Sequence, residues 1–407
     1  MTELPPGWES KQFFDVVALQ RGFDLPMSAR RAGSVVVLGS NGQVGTHDEC
    51  RNDVPVPTLT VGRSGSVGKV CFSEAGAWPL NTTLFAKDYR GNDPKYINFW
   101  LQHFDLSRYA QGVSVPTLNR NSFSSIQVHV PPLSKQQRIA RVLDRCWDGI
   151  RTEQTIEHAA SELKSAAMNE LFTRGLRGET QKETEIGWVP ESWSVDPLGA
   201  HHSVCSGGTP ARGNPTYWTD GNIPWVKTTE VNYCLISKTE EQITQSGLSE
   251  SAARLLPEGT LLMAMYGQGV TRGRVAILGI EAACNQACAA ISATDSTVLG
   301  KYLYHFLTWR YEAIRQLAHG GQQQNLNLDI VRALPIASPN DADEQLEIVA
   351  VLDALDHKIA LHQQKRAVLE ELFKALLHKL MTGEIDVNDL ELTAVIGLNN
   401  ETEGSGA

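Results

Sequence analysis

Two glycine-punctuated loops hold the side chains of this sequence with the most chemistry to offer. In the first, GRSGSVGKV (62–70), Arg63, Ser64, Ser66 and Lys69 alternate with Gly62, Gly65 and Gly68, and Asn41 and Gln43 stand in the preceding SNGQVG. In the second, YGQGVTRGRV (266–275), Gln268, Arg272 and Arg274 do the same, with Thr209, Arg212 and Lys227 upstream and Gln322, Gln323 and Gln324 downstream. Arg and Lys donors suit phosphate and guanine, Asn and Gln suit adenine, and Ser and Thr suit either. Read one residue at a time, each is an ordinary solvated side chain; read as clusters, they offer contact with nucleic acid rather than the making of bonds.

Catalytic readings fail on spacing. A phosphate-binding loop of the G-x-x-x-x-G-K-[ST] type needs glycine where Arg63 stands and a hydroxyl where Val70 stands. The NPTY of 214–217 resembles the N-P-P-[YF] of amino-methyltransferases but has Thr216 for the second proline, and no F-x-G-x-G loop lies upstream; an ordinary turn explains it. Neither H-E-x-x-H nor G-x-S-x-G occurs. Of the 7 cysteines, Cys284 and Cys288 sit in a small apolar stretch with no histidine pair, which reads as buried thiols in a reduced, cytoplasmic chain rather than a metal site.

The elements that must position these loops are mixed α and β. The stretch 34–45 reads as a hairpin turning at Asn41-Gly42, and 56–72 as two strands around the glycine loop. A helix is expected at 94–109 and a final strand at 126–132. The second region repeats the order: strand, glycine loop, strand over 261–278, then a helix at 299–317. No run has membrane-span length, and MTELPPGWES lacks the features of a secretory signal.

The organising feature is a repeat. Residues 136–175 align without a gap on 345–384 at an offset of 209, placing Ile139 on Ile348, Val142 on Val351, Leu143-Asp144 on Leu352-Asp353, Leu171 on Leu380 and Thr173 on Thr382. Weaker matches (Trp8 on Trp193, Gly62 on Gly267, Leu118-Asn119 on Leu326-Asn327) extend it over the whole chain. In both copies alternate steps of four and three select a seam: Ile139, Leu143, Cys146, Ile150, Glu153, Glu157, Ala160, Lys164, Ala167 and Leu171, matched by Ile348, Leu352, Leu355, Ile359, His362, Arg366, Leu369, Phe373, Leu376 and Leu380. Pairing the helices antiparallel, so that residue numbers sum to 519, sets Glu153 on Arg366 and Glu157 on His362, a polar layer that fixes register. The alternative is that each helix packs on its own domain.

The net charge of −10 argues against strong non-specific DNA binding, yet its distribution leaves room for a local basic groove. It is +1 over 1–132, +1 over 133–180, −4 over 181–342 and −8 over 343–407.

QQRIARVLD, EQLEIVAVLD, ELFTRGLRGE, KLMTGEI, GWVPESW, GGTPARGNPTYWTDGNIPW, VGRSGSVGKV and MYGQGVTRGRVAIL with NQACAAI together resemble the specificity subunits of Type I restriction-modification systems over almost the whole chain. The resemblance implies target recognition domains at 1–132 and 183–342, joined by helical spacers at 133–182 and 343–384, with a tail at 385–407 whose end is disordered. It implies that each domain reads one half of an asymmetric double-stranded DNA site, that the helices form an antiparallel coiled coil with a pseudo-two-fold, and that they dock methyltransferase subunits, two in number. A motor-nuclease subunit joins them, and no membrane is involved. This chain would catalyse nothing and hold no cofactor or metal, S-adenosylmethionine, ATP and Mg belonging to its partners. Gly149 and the polar second half of the first helix depart from the family's pattern and bear on that helix's continuity. The alternatives are a methyltransferase-only or Type IIB-like system, and a coiled-coil scaffold that reads no DNA.

Overall fold

The computed structural model describes residues 4–112, 116–267, 270–317 and 325–390. It divides into two compact units, Met1–Thr155 with Gln363–Ala407, and Ile156–His362. The two long helices, Leu133–Arg174 and Ala342–Thr382, each run through both divisions of the chain, so each unit contains one globular domain and one half of each helix. The central helix is unbroken at Gly149, where an added Cβ would meet Leu369 Cδ1 at an ordinary 3.4 Å. None of the described helices is long and apolar enough to cross a membrane.

In the first unit a four-stranded antiparallel sheet runs in the order Ala18–Arg21, Thr83–Asp88, Thr58–Gly62, Val70–Ser73. Beside it Val35–Gly39 pairs antiparallel with Gly42–His47 and parallel with Ala77–Pro79. The Asn41-Gly42 turn forms as expected, with Gly42 at φ +114°, a conformation glycine adopts without cost. Helix Pro94–Phe104 starts where Asp93 accepts a hydrogen bond from Tyr96 N and Pro94 supplies a φ already suited to the first turn. It stops short of the expected 109 because Asp105 turns left-handed at φ +50° and its carboxylate accepts from Ser107 N, leaving only a 3-10 turn at Leu106–Tyr109. Phe13, Leu59, Leu84, Tyr96, Ile97 and Trp100 form the core with Ile139, Leu143, Phe373 and Leu380 from the long helices. Burying Ile139 and Leu143 contributes about 1.5–3 kcal/mol each.

The second unit repeats the plan with a five-stranded sheet ordered His202–Ser206, Cys288–Ala293, Leu261–Ala264, Val275–Leu278, Leu235–Ile236, and a three-stranded one around Ile223–Val226. Its helix breaks at Arg310 into Gly300–Trp309 and Tyr311–Leu317.

The repeat extends to single hydrogen bonds. Gln136, buried at the start of the central helix, accepts from Asp93 N at 3.0 Å and donates to Pro131 O and Asn92 Oδ1. Gln345, its counterpart, accepts from Leu299 N at 3.0 Å and donates to Pro339 O and Thr297 O. Lys95 reaches Asp144 at 2.7 Å, and Lys301 reaches Asp353 at 2.6 Å. Each helix exit is built alike too: Gly175 (φ +62°) lies against Pro190 and Trp193, and Gly383 (φ +73°) against Pro5 and Trp8. Both are the left-handed residue that ends a helix.

All seam positions in both helices are buried or half-buried. The pairing is antiparallel in each unit: in the first, the Trp147 and Phe373 rings meet tilted at 49° with centroids 5.3 Å apart, and in the second, Lys164 Nζ is 2.6 Å from Asp356. The numbers of both pairs sum to within one of 519.

Candidate nucleic-acid interface

In the first unit the glycine loop closes on itself. Gly62 N donates to Lys69 O at 2.8 Å, Gly68 N donates to Gly62 O at 2.9 Å, and Gly65 and Gly68 take φ +84° and +83°. A Cβ on Gly62 would lie 1.9 Å from Ser66 O, so the loop needs glycine there for close approach. Lys69 Nζ donates to Asn41 O (2.8 Å) and Asn41 Oδ1 (3.0 Å), tying this loop to the hairpin that exposes Asn41 and Gln43. Ser64 and Ser66 are half-buried within it.

Arg63 points to a different feature. It lines a groove of about 850 Å³ with Gln20, Arg21, Asp24, Gln111, Asn119 and Arg120. Leu118 N donates to Arg63 O, and Ser64 bridges to Thr117, which brings the 117–120 segment beside the glycine loop. Sequence reasoning did not single out Gln20, Arg21, Gln111, Asn119 or Arg120. The Leu118-Asn119 repeat was the one available signal; proximity across the sheet is invisible without the fold.

The second unit treats its cations differently. Arg212 is ion-paired to Glu241, and its guanidinium lies 3.9 Å above the Trp218 ring. Lys227 is paired to both Glu240 and Glu241. The hydrogen bond from Arg212, aided by Lys227, holds the Glu241 carboxyl below its ordinary pKa, and Glu240 together with Glu241 holds Lys227 above its own. Arg274 donates to Asn232 at 2.6 Å, Arg272 is buried, and Thr209 bonds Gln286. Gln268, Gln322, Gln323 and Gln324 lie outside the described residues.

Of the seam's polar positions, Glu153, Glu157, His362 and Arg366 are all half-buried, and Arg366 is 3.4 Å from Glu370 one turn on. Among the described residues, the one cluster able to hold a metal ion is His47, Asp48 and Glu49, and Arg31 already pairs with both carboxylates.

A family model described as the Type I restriction modification DNA specificity domain matches residues 5–160 and 191–371. The chain is similar to the Type I restriction enzyme MjaIX specificity subunit of Methanocaldococcus jannaschii, 30% identical over 50% of this chain and 48% of that one. It thus spans about half the length of that relative. The putative MjaX specificity subunit of the same organism is 21% identical over 95% of each chain, and the EcoR124I/EcoR124II specificity subunit of Escherichia coli is 25% identical over 64% of this chain and 63% of its own. In fold the chain is similar to the Type I restriction-modification S subunit from M. genitalium, with a TM-score of 0.66 at 14% identity, covering 92% of this chain and 96% of that one.

Proposed function

The chain belongs to the Type I restriction-modification DNA specificity family, and on that premise we propose that it is the non-catalytic sequence reader of such a complex, each domain taking one half of an asymmetric, bipartite DNA site. The helix pair sets the distance between the half-sites and docks methyltransferase subunits, two to one such chain, and a motor-nuclease subunit completes the assembly. S-adenosylmethionine, ATP and Mg act on those partners.

The observation that supports this reading most is the duplicated joint. Gln136 with Lys95–Asp144, and Gln345 with Lys301–Asp353, seat two domains of one plan on one pair of helices. A helix of 42 residues rises about 63 Å at roughly 1.5 Å per residue. One turn of DNA is about 34–36 Å, so a rod of that length suits two readers addressing separate stretches of one duplex. The two domains differ in sequence and in their polar loops, which suits unequal half-sites.

Modified-base sequencing of the host genome with and without this gene tests the proposal. Loss of methylation at a single bipartite, asymmetric motif is the expected result. An unchanged methylome with the methyltransferase expressed would overturn it and favour the scaffold reading.

A further inference from the structure

Resting on the reading above, we infer that the two domains hold DNA unequally: the first supplies most of the electrostatic grip on backbone phosphates, through Arg21, Arg63 and Arg120 in its groove, and the second supplies little. Among the described residues none of these three arginines has an ion-pair partner or lies over an aromatic ring. Other arginines of the same unit are engaged: Arg31 by Asp48 and Glu49, Arg51 by Asp53, Arg90 by Asp88. Asp24, the carboxylate of the groove, accepts a hydrogen bond from Asn81 instead. Three guanidinium groups that line one concave surface and carry no internal counter-charge are placed to receive an anion larger than a single ion.

In the second domain the cations flagged by sequence are already spent on neighbours. Arg212 faces Glu241, Lys227 faces Glu240 and Glu241, Arg274 donates to the neutral amide of Asn232, and Arg272 is buried; beyond those four, Arg315 faces Glu312 and Arg332 faces Asp329. A cation that must leave a carboxylate to meet a phosphate gains little, because one charge pair replaces another. A cation without such a partner displaces condensed counterions from DNA, and each one so engaged steepens the salt dependence of binding by about 0.9 in log–log slope. The net charges agree in sign, +1 over residues 1–132 against −4 over 181–342. Gln20, Gln111 and Asn119 at the groove add the amides that reach adenine edges beside those phosphates.

The test uses the full chain assembled with its methyltransferase subunits and a duplex carrying the motif read from the methylome, its affinity followed by fluorescence anisotropy across salt. Combined Arg21→Ala, Arg63→Ala and Arg120→Ala should lower the salt slope by about 2–3. Combined Arg212→Ala and Lys227→Ala should lower it by less than about 1. Arg→Lys at the same three positions keeps the charge and should keep the slope, which separates loss of charge from loss of fold. An unchanged slope in the triple alanine variant, or a larger loss in the second-domain pair, would overturn the inference while leaving the specificity reading intact. If the wild-type complex shows no preference for the bipartite duplex yet loses slope in the triple variant, the specificity reading falls and the groove assignment stands.

Discussion

Lys164 Nζ lies 2.6 Å from Asp356 Oδ1 across the helix pair, while the residues at the pseudo-equivalent positions, Phe373 and Trp147, meet as tilted rings with centroids 5.3 Å apart. The difference continues into the domains. His305 of helix Gly300–Trp309 reaches Asp353 at 2.9 Å and lies 4.0 Å from Asp356, and the residue at its place in helix Pro94–Phe104 is Phe99, whose ring is 5.9 Å from Phe373. At these equivalent positions the second domain meets the helices through polar side chains and the first through aromatic rings.

Because the Lys164 side chain is only 12% exposed, Asp356→Ala leaves a largely buried ammonium without its carboxylate. The expected loss is about 1–3 kcal/mol. Lys164→Phe with Asp356→Trp transplants the other unit's aromatic pair and should recover part of it. Thermal unfolding of both variants checks this; a double variant less stable than the sum of its single losses would show that the two joints are not interchangeable.

Gly383 sits at φ +73°, and a Cβ there would lie 2.5 Å from Pro5 Cγ; Gly178 has a similar φ of +65° but nothing within 4 Å. Gly383→Ala should therefore cost the left-handed backbone strain, about 1 kcal/mol, plus the displacement of Pro5 from the helix exit. Gly178→Ala should cost the first term alone. Equal unfolding midpoints for the two variants would rule out packing of the N-terminal segment on that exit.

His201 lies 3.0 Å from Asp295 and 3.6 Å from Asp196. The hydrogen bond to Asp295 raises the His201 pKa, and His201 lowers that of Asp295 to about 2. The histidine's contribution to stability is complete below the ordinary imidazole pKa of about 6.5 and is lost as pH rises through the raised value. The carboxylate's is present above its ordinary pKa near 4 and is lost only as pH falls towards 2. Asp295→Asn should thus separate from wild type in urea midpoint most at pH 5–6 and converge with it at pH 8–9. A gap that widens with rising pH would contradict this pair.

Glu153 and Arg366 are both half-buried, and the antiparallel register expected from the sequence sets them on one another, so reversing either charge alone should destabilise the helix pair by about 1 kcal/mol. Glu153→Arg combined with Arg366→Glu should restore most of the loss. Equal damage in the combined variant, read by thermal unfolding, would dissolve the polar layer.

Much of this architecture was legible because it is periodic. The seam from Ile139 to Leu171 and its copy 209 residues on follow from spacing alone, and the glycines at 62, 65 and 68 announce a loop that no larger residue could close. What stayed hidden depends on proximity across sheets. Arg21, Arg63 and Arg120 come together only when strands Ala18–Arg21 and Thr58–Gly62 flank Thr83–Asp88. Arg212 and Lys227 look like free donors until the antiparallel pairing of Ile223–Val226 with Glu241–Ile243 delivers Glu241 to both. The contrast between Phe99 and His305 was concealed because these helices match at an offset of 206, not the 209 of the long helices.

The most direct test of the account shortens both long helices by one heptad in register, deleting 154–160 and 359–365 so that the seam is preserved, and reads the methylome of cells carrying the variant. A helix pair shorter by about 10 Å should change the number of base pairs between the two half-sites and leave both half-site sequences as they were. Altered half-sites with the original spacing would contradict it.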